Sequence, residues 1–521
     1  MSVSLSVLPS LTRSLSWRTS MMLGLVAGCL NILSFAPFNI WPLQLISLAL
    51  IFLLVVQRDD WSIRQIALIG ASYGFGCLFL GISWLVIAMW RYGDVPLALS
   101  IMALALLAAY LALFSAGMLA IGHWLQQRWT LSVTLSLLLV FPALWALSEW
   151  LRGSMLTGFS WLASGYAHTG SPLAGYAAVI GVYGIGWVSA VIAGAIALVL
   201  LRRTAWIKLS ILVGLLLVFG MVLRQHAWTH DHGEPITVRL LQGNVDQGIK
   251  FEIEHVNESL ALYHEMILAA PADLIAAPET ALPLLSSQLP ADYLPSLNDF
   301  AQRSNSGLVV GLGVHDGENR YSNSVLGFGR EYATQAYRYD KHHLVPLGEF
   351  VPFGFHWFIQ MMKIPLGDFS SAGILQAPMR VKDQLVLPNI CYEDLFGEEI
   401  AQQLAAQASS KDGAATILLN VSNLAWYGDS IAIPQHLQIS KMRVLETGRP
   451  MLRATNTGAT AVISAHGEIV AQLKPLTRDT LSATVQGTSG LTPYILWGNL
   501  SVIMLALVSL LLAFGIAKRS A

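Results

Sequence analysis

The chain has 521 residues, 55% of them hydrophobic and only 12% charged, with a mean hydropathy of +0.58. So apolar a composition excludes an ordinary soluble protein and points to one that lives in a membrane. Thirty lysines and arginines nearly balance 31 aspartates and glutamates, and the net charge of -1, with no basic stripe, excludes a nucleic-acid partner. Of the three cysteines, Cys29 and Cys77 fall in apolar runs, so the part outside the membrane holds Cys391 alone and has no internal disulfide.

Taken in order, Arg13 and Arg18 precede an apolar segment at about 21–36. More apolar runs follow at once, at 40–56, 66–90, 97–121, 131–150, 176–201 and 209–223, which argues against a cleaved signal peptide. A last run covers 495–516. Most approach the roughly 20 residues a helix needs to cross a bilayer; the first two, around the Pro37–Pro42 turn, are shorter. The expectation is a polytopic α-helical membrane domain of about eight transmembrane helices.

Basic residues give the sidedness. A cytoplasmic N-terminus places Arg13, Arg18, Arg58, Arg64, Arg128, Arg202, Arg203, Lys208, Lys518 and Arg519 inside, and only Arg91, Arg152 and Arg224 outside. Seven spans from that start put 236–486 outside the cytoplasm, and the eighth returns the C-terminus. Three parts are expected: a membrane domain at 1–235, an extracytoplasmic domain at 236–486, and a final span with a short tail at 487–521.

Within 236–486, strand-like runs at 238–241, 274–277, 308–312, 415–419, 451–454 and 461–464 alternate with helical patterns at 256–269, 293–304 and 434–446. That alternation indicates a layered α/β domain. The loop at 351–370 is rich in Phe, Trp and Met and broken by Pro and Gly. It reads either as packing on its own domain or as a lid that touches lipid.

Three blocks can carry chemistry. Ala277-Pro278-Glu279-Thr280 sets a carboxylate after a strand, and the block from Tyr339 to Phe350 brings Lys341 and Glu349 around a Pro/Gly loop. In the third, the apolar run Leu385–Ile390 ends at Cys391, and a helical segment follows. The helix dipole is expected to favour the Cys391 thiolate there. Cys391 can serve as nucleophile, Glu279 as general base and acid, and Lys341 as the charge that stabilises thiolate and oxyanion, with the Tyr392 N–H as a second donor. Glu349 would orient Lys341 or assist proton movement. Alone, each residue is more often structural, and a lone cysteine is more often buried packing; the three blocks together are the signal.

Glu…Lys…Cys in these contexts resembles the nitrilase superfamily, whose catalytic domains are αββα sandwiches. The blocks Asn420–Gly428, Gln435–Gln438 and Arg453–Gly458, with Arg443, Glu446 and Arg449-Pro450, resemble its membrane-bound N-acyltransferase branch. So do Glu149–Gly153 and Gly158–Leu162 in the membrane part. The chain departs from that branch at Leu347, usually Phe, at Ser160, usually Pro, and at Leu424-Ala425-Trp426-Tyr427-Gly428, usually Asp-Ala-Trp-Phe-Gly.

The resemblance implies a two-step transfer at a bacterial inner membrane, with the catalytic domain on the periplasmic side. Cys391 takes an acyl chain from a phospholipid, typically phosphatidylethanolamine, as a thioester. The α-amine of a diacylglyceryl-modified N-terminal cysteine on an apolipoprotein then receives it as an amide. No cofactor or metal is called for, and a monomer is expected. Tyr392, Trp426, Phe350 and Phe358 are the expected acyl-chain contacts, although aromatics are more often ordinary packing. Asn323 is expected to hold the Glu279/Lys341 geometry, and Glu393 to support the nucleophile or to form a salt bridge elsewhere.

Two other readings compete: a membrane-tethered amidase or hydrolase of nitrilase type that uses water as acceptor, and an inactive transporter or scaffold. Intact Glu279, Lys341 and Cys391 argue against the second. His226, His230 and His232 with Asp231 read as interfacial polar residues rather than metal ligands. Glu149 and Arg152, at the membrane edge, would bind a lipid head group or pair with each other.

Overall fold

A computed structural model describes residues 14–202, 205–248, 250, 253–317, 320–351, 369–411 and 413–520. The chain forms two compact units: one made of Met1–Val86, Leu97–Ala227 and Trp497–Ala521, the other of Ile87–Pro96 and Trp228–Leu496.

The first unit is helical. Its helices are α1 (Trp17–Asn31), α2 (Pro42–Val55), α3 (Ile63–Gly81), α4 (Leu97–Arg128), α5 (Phe141–Ser154), α6 (Ala177–Leu201) and α7 (Trp206–Gln225), with a C-terminal helix at Leu500–Ser520. Among the described residues, six helical stretches are long and apolar enough to cross a membrane: Ile63–Gly81, Leu97–Arg128, Val133–Ser154, Pro172–Leu201, Trp206–Gln225 and Leu500–Arg519. The other two of the eight expected spans correspond to α1 and α2, of 15 and 14 residues. At about 1.5 Å per residue these reach only ~22 Å, short of the roughly 30 Å hydrocarbon core.

Local signals set the helix ends. Pro42 opens α2, where its missing N–H costs nothing. Ser62 caps α3: its hydroxyl takes the Gln65 N–H at 3.4 Å while Gln65 Oε1 takes the Ser62 N–H at 2.9 Å. In α7 only Leu209 and Gly220 are buried, and Ile211, Leu215, Val218, Phe219 and Val222 are exposed; a helix so apolar and so bare needs lipid around it. Glu149 and Arg152 in α5 are spent on the loop that follows. Glu149 Oε1 accepts the Ser164 N–H and hydroxyl, each at 2.7 Å, and Arg152 Nη1 donates to the Phe159 and Trp161 carbonyls at 2.7 and 2.8 Å. These bonds pin the turn rather than joining the two charges to each other.

The second unit contains two packed sheets. The first is built from β1 (Ile236–Gln242), β2 (Leu274–Ala276), β3 (Leu282–Leu285), β4 (Gly307–His315), β5 (Tyr321–Phe328) and β6 (Tyr337–Asp340). The second contains β7 (Met379–Val381), β8 (Gln384–Ile390), β9 (Ile417–Ser422), β10 (Met451–Thr455), β11 (Ala461–Ile463) and β12 (Ile469–Gln472). A further strand, β13 (Asp479–Val485), returns to the first sheet, giving the order β13-β1-β2-β4-β5-β6 with β3 also on β4; the second runs β12-β11-β10-β9-β8-β7. The centres of both are parallel, β1-β2-β4 in one and β8-β9-β10 in the other.

Side-chain alternation assigns the layers. Along the first sheet Val238, Leu240, Leu274, Ala276 and Val309 join the core shared with Val386, Ile390, Leu419 and Val421 of the second. Their neighbours Leu241, Ile275, Leu308 and Val310 face the other way, onto Leu260 and Tyr263 of α8 (Ile253–Leu268) and Leu297 of α9 (Tyr293–Ser304). Ile400 and Leu404 of α10 (Gly397–Ala408), with Leu437 and Val444 of α11 (Ala432–Thr447), pack in the core on the side of the second sheet. The result is the αββα sandwich expected from the sequence. Each fully buried aliphatic side chain in it contributes roughly 1.5–3 kcal/mol.

Candidate active site

The ends of four strands meet in one site. Glu279 follows β2, Lys341 follows β6, Cys391 follows β8 and Asn423 follows β9, while Asn323 sits within β5; strand ends are where α/β sheets gather their chemistry. Gly311 in β4 makes room for the first. A Cβ at Gly311 would lie 2.5 Å from the Pro278 carbonyl oxygen and 2.8 Å from Glu279 Cα, so the loop bearing the carboxylate rests directly on the strand.

Three non-glycine residues in these loops have left-handed backbones: Thr280 (φ 46°), Leu347 (φ 61°) and Cys391 (φ 53°). Each conformation costs roughly 1–2 kcal/mol, and such strain gathers at functional sites. At Cys391 it turns the chain sharply out of β8.

The charged groups form one hydrogen-bonded cluster. Lys341 Nζ lies 3.2 Å from Glu279 Oε1 and 2.7 Å from Glu349 Oε1. Asn323 Nδ2 donates to the same two oxygens, at 2.8 and 2.7 Å. The second Glu279 oxygen accepts the Asn423 N–H at 2.9 Å, and the second Glu349 oxygen accepts the Val345 N–H at 2.8 Å. Lys341 is fully buried. Burial alone would push its ammonium down, but Glu279 and Glu349 outweigh it and hold Lys341 well above its ordinary value. It is a fixed positive charge.

Cys391 faces this cluster. Burial pushes its thiol well up, the Glu279 and Glu349 carboxylates push the same way, and Lys341 opposes them. The balance favours the protonated sulfur, and beside it lies a carboxylate placed to accept its proton. These effects run against the pull toward thiolate expected from a helix dipole. A 3₁₀ turn, Cys391–Leu395, separates the cysteine from α10, and dipole effects fade within the first turn.

Glu393 joins the nucleophile corner to the lysine loop. One oxygen accepts the His342 N–H at 2.7 Å and meets His342 Nδ1 at 2.6 Å; the other accepts the Ile390 N–H at 2.6 Å and the Tyr339 hydroxyl at 3.1 Å. Glu399, from α10, bridges His342 Nε2 and His343 Nδ1 at 2.8 and 2.9 Å. Between two carboxylates that outweigh its burial, His342 is pushed up to about 10. Below the corner, Asp394 accepts from Ser440 and from Arg453 Nη1 in a fully buried group.

The remaining expected residues lie as follows. Tyr392 packs on His343 and Phe396, with ring centroids 5.8 and 5.2 Å away. Trp426 sets its ring edge-to-face with Tyr92, centroids 5.8 Å apart, in the segment 87–96 that belongs to this unit. Phe350 is half-buried and bridges to Pro346. Phe358 and most of the proposed lid lie outside the described residues; the adjoining Phe369 donates its N–H to the Glu349 carbonyl at 3.0 Å.

Several participants were not singled out from the sequence. Asn423 is held by Gln247, which accepts from its side chain at 2.8 Å, and by Asn456, which donates to it at 3.0 Å. Glu399, Lys250 and Tyr427 also surround the cluster. Asn423 and Tyr427 fall in the block Asn420–Gly428 and Asn456 in Arg453–Gly458, both marked by the family resemblance, and Asn423 also directly follows a strand; Gln247, Glu399 and Lys250 carried no such sign.

Residues 27–195 match the family described as apolipoprotein N-acyltransferase N-terminal domain, and residues 237–494 match carbon-nitrogen hydrolase. A protein from Ralstonia nicotianae named apolipoprotein N-acyltransferase is 47% identical over 502 residues, covering 96% of this chain and 94% of its own. Proteins of the same name from Nitrosomonas europaea and Pseudomonas syringae pv. tomato are 42% and 38% identical. The first covers 94% of this chain and 95% of itself, and the second 96% of each.

Proposed function

The chain belongs to the apolipoprotein N-acyltransferase family, and on that footing we propose how its residues perform the transfer. It is a membrane acyltransferase that acts in lipoprotein maturation. The donor is a membrane phospholipid, with phosphatidylethanolamine the expected head group. The acceptor is the α-amine of a diacylglyceryl-cysteine at the N-terminus of an apolipoprotein.

The Cys391 thiol attacks the donor ester carbonyl while Glu279 takes its proton. The Lys341 ammonium and the Tyr392 N–H stabilise the oxyanion. Collapse breaks the ester C–O bond, and Glu279 returns the proton to the departing lysophospholipid. The acceptor amine then attacks the thioester, gives its proton to Glu279, and expels Cys391, which recovers that proton. Glu349 and Asn323 keep Lys341 and Glu279 in register throughout. The observation that carries this reading is the Cys391 side chain facing a Glu279 carboxylate whose two oxygens are otherwise aimed by Lys341, Asn323 and the Asn423 N–H.

The distribution of arginine and lysine among the connections supports an inner-membrane protein with the sandwich on the periplasmic side. Transfer to water is the weaker reading, because the relatives are named for N-acyl transfer along nearly their whole length.

Intact-mass spectrometry of the detergent-solubilised protein tests the scheme. With phosphatidylethanolamine alone, Cys391 gains one acyl chain; adding a diacylated lipopeptide moves that chain to the peptide amine. Decay of the adduct only to free fatty acid would favour the hydrolase, and the absence of any adduct on folded protein would sink the catalytic assignment.

A further inference from the structure

The cluster as described carries two carboxylates, Glu279 and Glu349, against one ammonium, Lys341. A net negative charge in so buried a place is expensive. A second lysine stands beside it. Lys250, in the loop after β1, is 1% exposed, and its Nζ donates to the Thr280 hydroxyl at 3.2 Å, one residue from Glu279. The same loop wraps Glu279 from a second direction: Gln247 holds the Asn423 side chain whose backbone N–H binds Glu279 Oε2. The Val245 N–H and carbonyl are both bonded to Asn456, which also bonds Asn423.

We infer that Lys250 is a positioning residue for the transfer: its ammonium balances the charge of the Glu279–Lys341–Glu349 cluster and sets how readily Glu279 takes and returns the Cys391 proton. The inference rests on Glu279 being the base. The charged group acting on Lys250 is Glu279, on the loop after β2, with which Lys341 is paired, and Lys341 in turn pairs with Glu349. On its own loop is Asp246, whose carboxylate accepts the Gly248 N–H at 2.7 Å and lies near Tyr92. Burial pushes Lys250 down to about 8, with Glu279 opposing the shift, so the balancing charge is present at neutral pH and is lost on the alkaline side. No new bond is made to Lys250. While charged, it favours ionised Glu279 before the thiol attacks, and it favours release of the proton to the lysophospholipid oxygen as the ester bond breaks.

The test is the rate of acyl-enzyme formation from phosphatidylethanolamine by full-length protein in detergent, followed across pH for wild type, Lys250→Met, Lys250→Gln and Lys250→Arg. Removing the charge should move the acid limb of the profile upward by about one pH unit or more, and arginine should bring it back. Neutral variants that lose rate equally at every pH, with the limb in place, would show that Lys250 only packs and would overturn the inference. So would neutral variants that fail to fold while Lys250→Arg folds. Glu279→Gln separates the two levels. If its residual acylation keeps the wild-type limb, the base assignment itself fails and this inference falls with it. If it loses the limb while the Lys250 variants leave it unmoved, only the role of Lys250 fails.

Discussion

Asn323 touches two carboxylates at once through a single nitrogen, at 2.8 Å from Glu279 and 2.7 Å from Glu349. Hydrogen bonds to charged groups contribute about 1.5–3 kcal/mol each, and 1.36 kcal/mol is tenfold in rate. With only the bond to Glu279 bearing on the proton transfer, Asn323→Leu should slow Cys391 acylation about 10- to 100-fold in single-turnover measurements while leaving the protein folded; an unchanged rate would remove Asn323 from the site. Asn323→Asp should be worse, because it sets a third carboxylate against the pair. Asn323 was legible because its sequence block resembles that of the family. Asn423 lies in the block Asn420–Gly428, which carries the same resemblance, but its role was not legible: it bonds Glu279 from 144 residues away through its backbone N–H, and a backbone donor leaves no side-chain signature.

The lysine loop after β6 and the corner after β8 are separate elements joined by His342, Glu393 and Glu399. With His342 raised to about 10 when folded and near 6.5 when unfolded, its contribution to stability is complete below about pH 6.5 and is lost as the pH climbs toward 10. Glu399 is pushed down to about 2 by its two histidines, against its burial, so its contribution is present above about pH 4.5 and lost as the pH falls toward 2. A thermal unfolding series in detergent should show the alkaline decline, and His342→Gln should flatten it; an identical decline in the variant would place its cause elsewhere. Glu393→Gln leaves a buried imidazolium short of one partner and should destabilise the sandwich by about 3–5 kcal/mol. Its denaturant midpoint would report the loss.

For the whole molecule, single-cysteine labelling in a background with Cys29, Cys77 and Cys391 all replaced by alanine tests the sidedness of the two units. Asp383, exposed beside β8, and Asp60, exposed between α2 and α3, serve as reporters. A membrane-impermeant maleimide should reach Asp383→Cys in intact spheroplasts, and Asp60→Cys only after permeabilisation. The reverse pattern would invert the topology.

The sequence by itself determined that the chain is membrane-embedded, that a layered α/β domain follows, and which three blocks hold Glu279, Lys341 and Cys391; the αββα sandwich was implied by the family resemblance those blocks carry. Hydropathy, strand alternation and turn chemistry act over a few residues, so they can be read along the chain. Only the tertiary structure decided which groups act on the Cys391 thiol: burial and two carboxylates from distant loops push it up, and Lys341 opposes them. It likewise decided that Glu149 and Arg152 are spent on the loop beside them. Lys250 belongs to the same class, since a lysine in sequence carries no sign of whether it will be solvated or buried 3.2 Å from Thr280. The energy of a charge depends on what surrounds it, and that is settled when the sheets close.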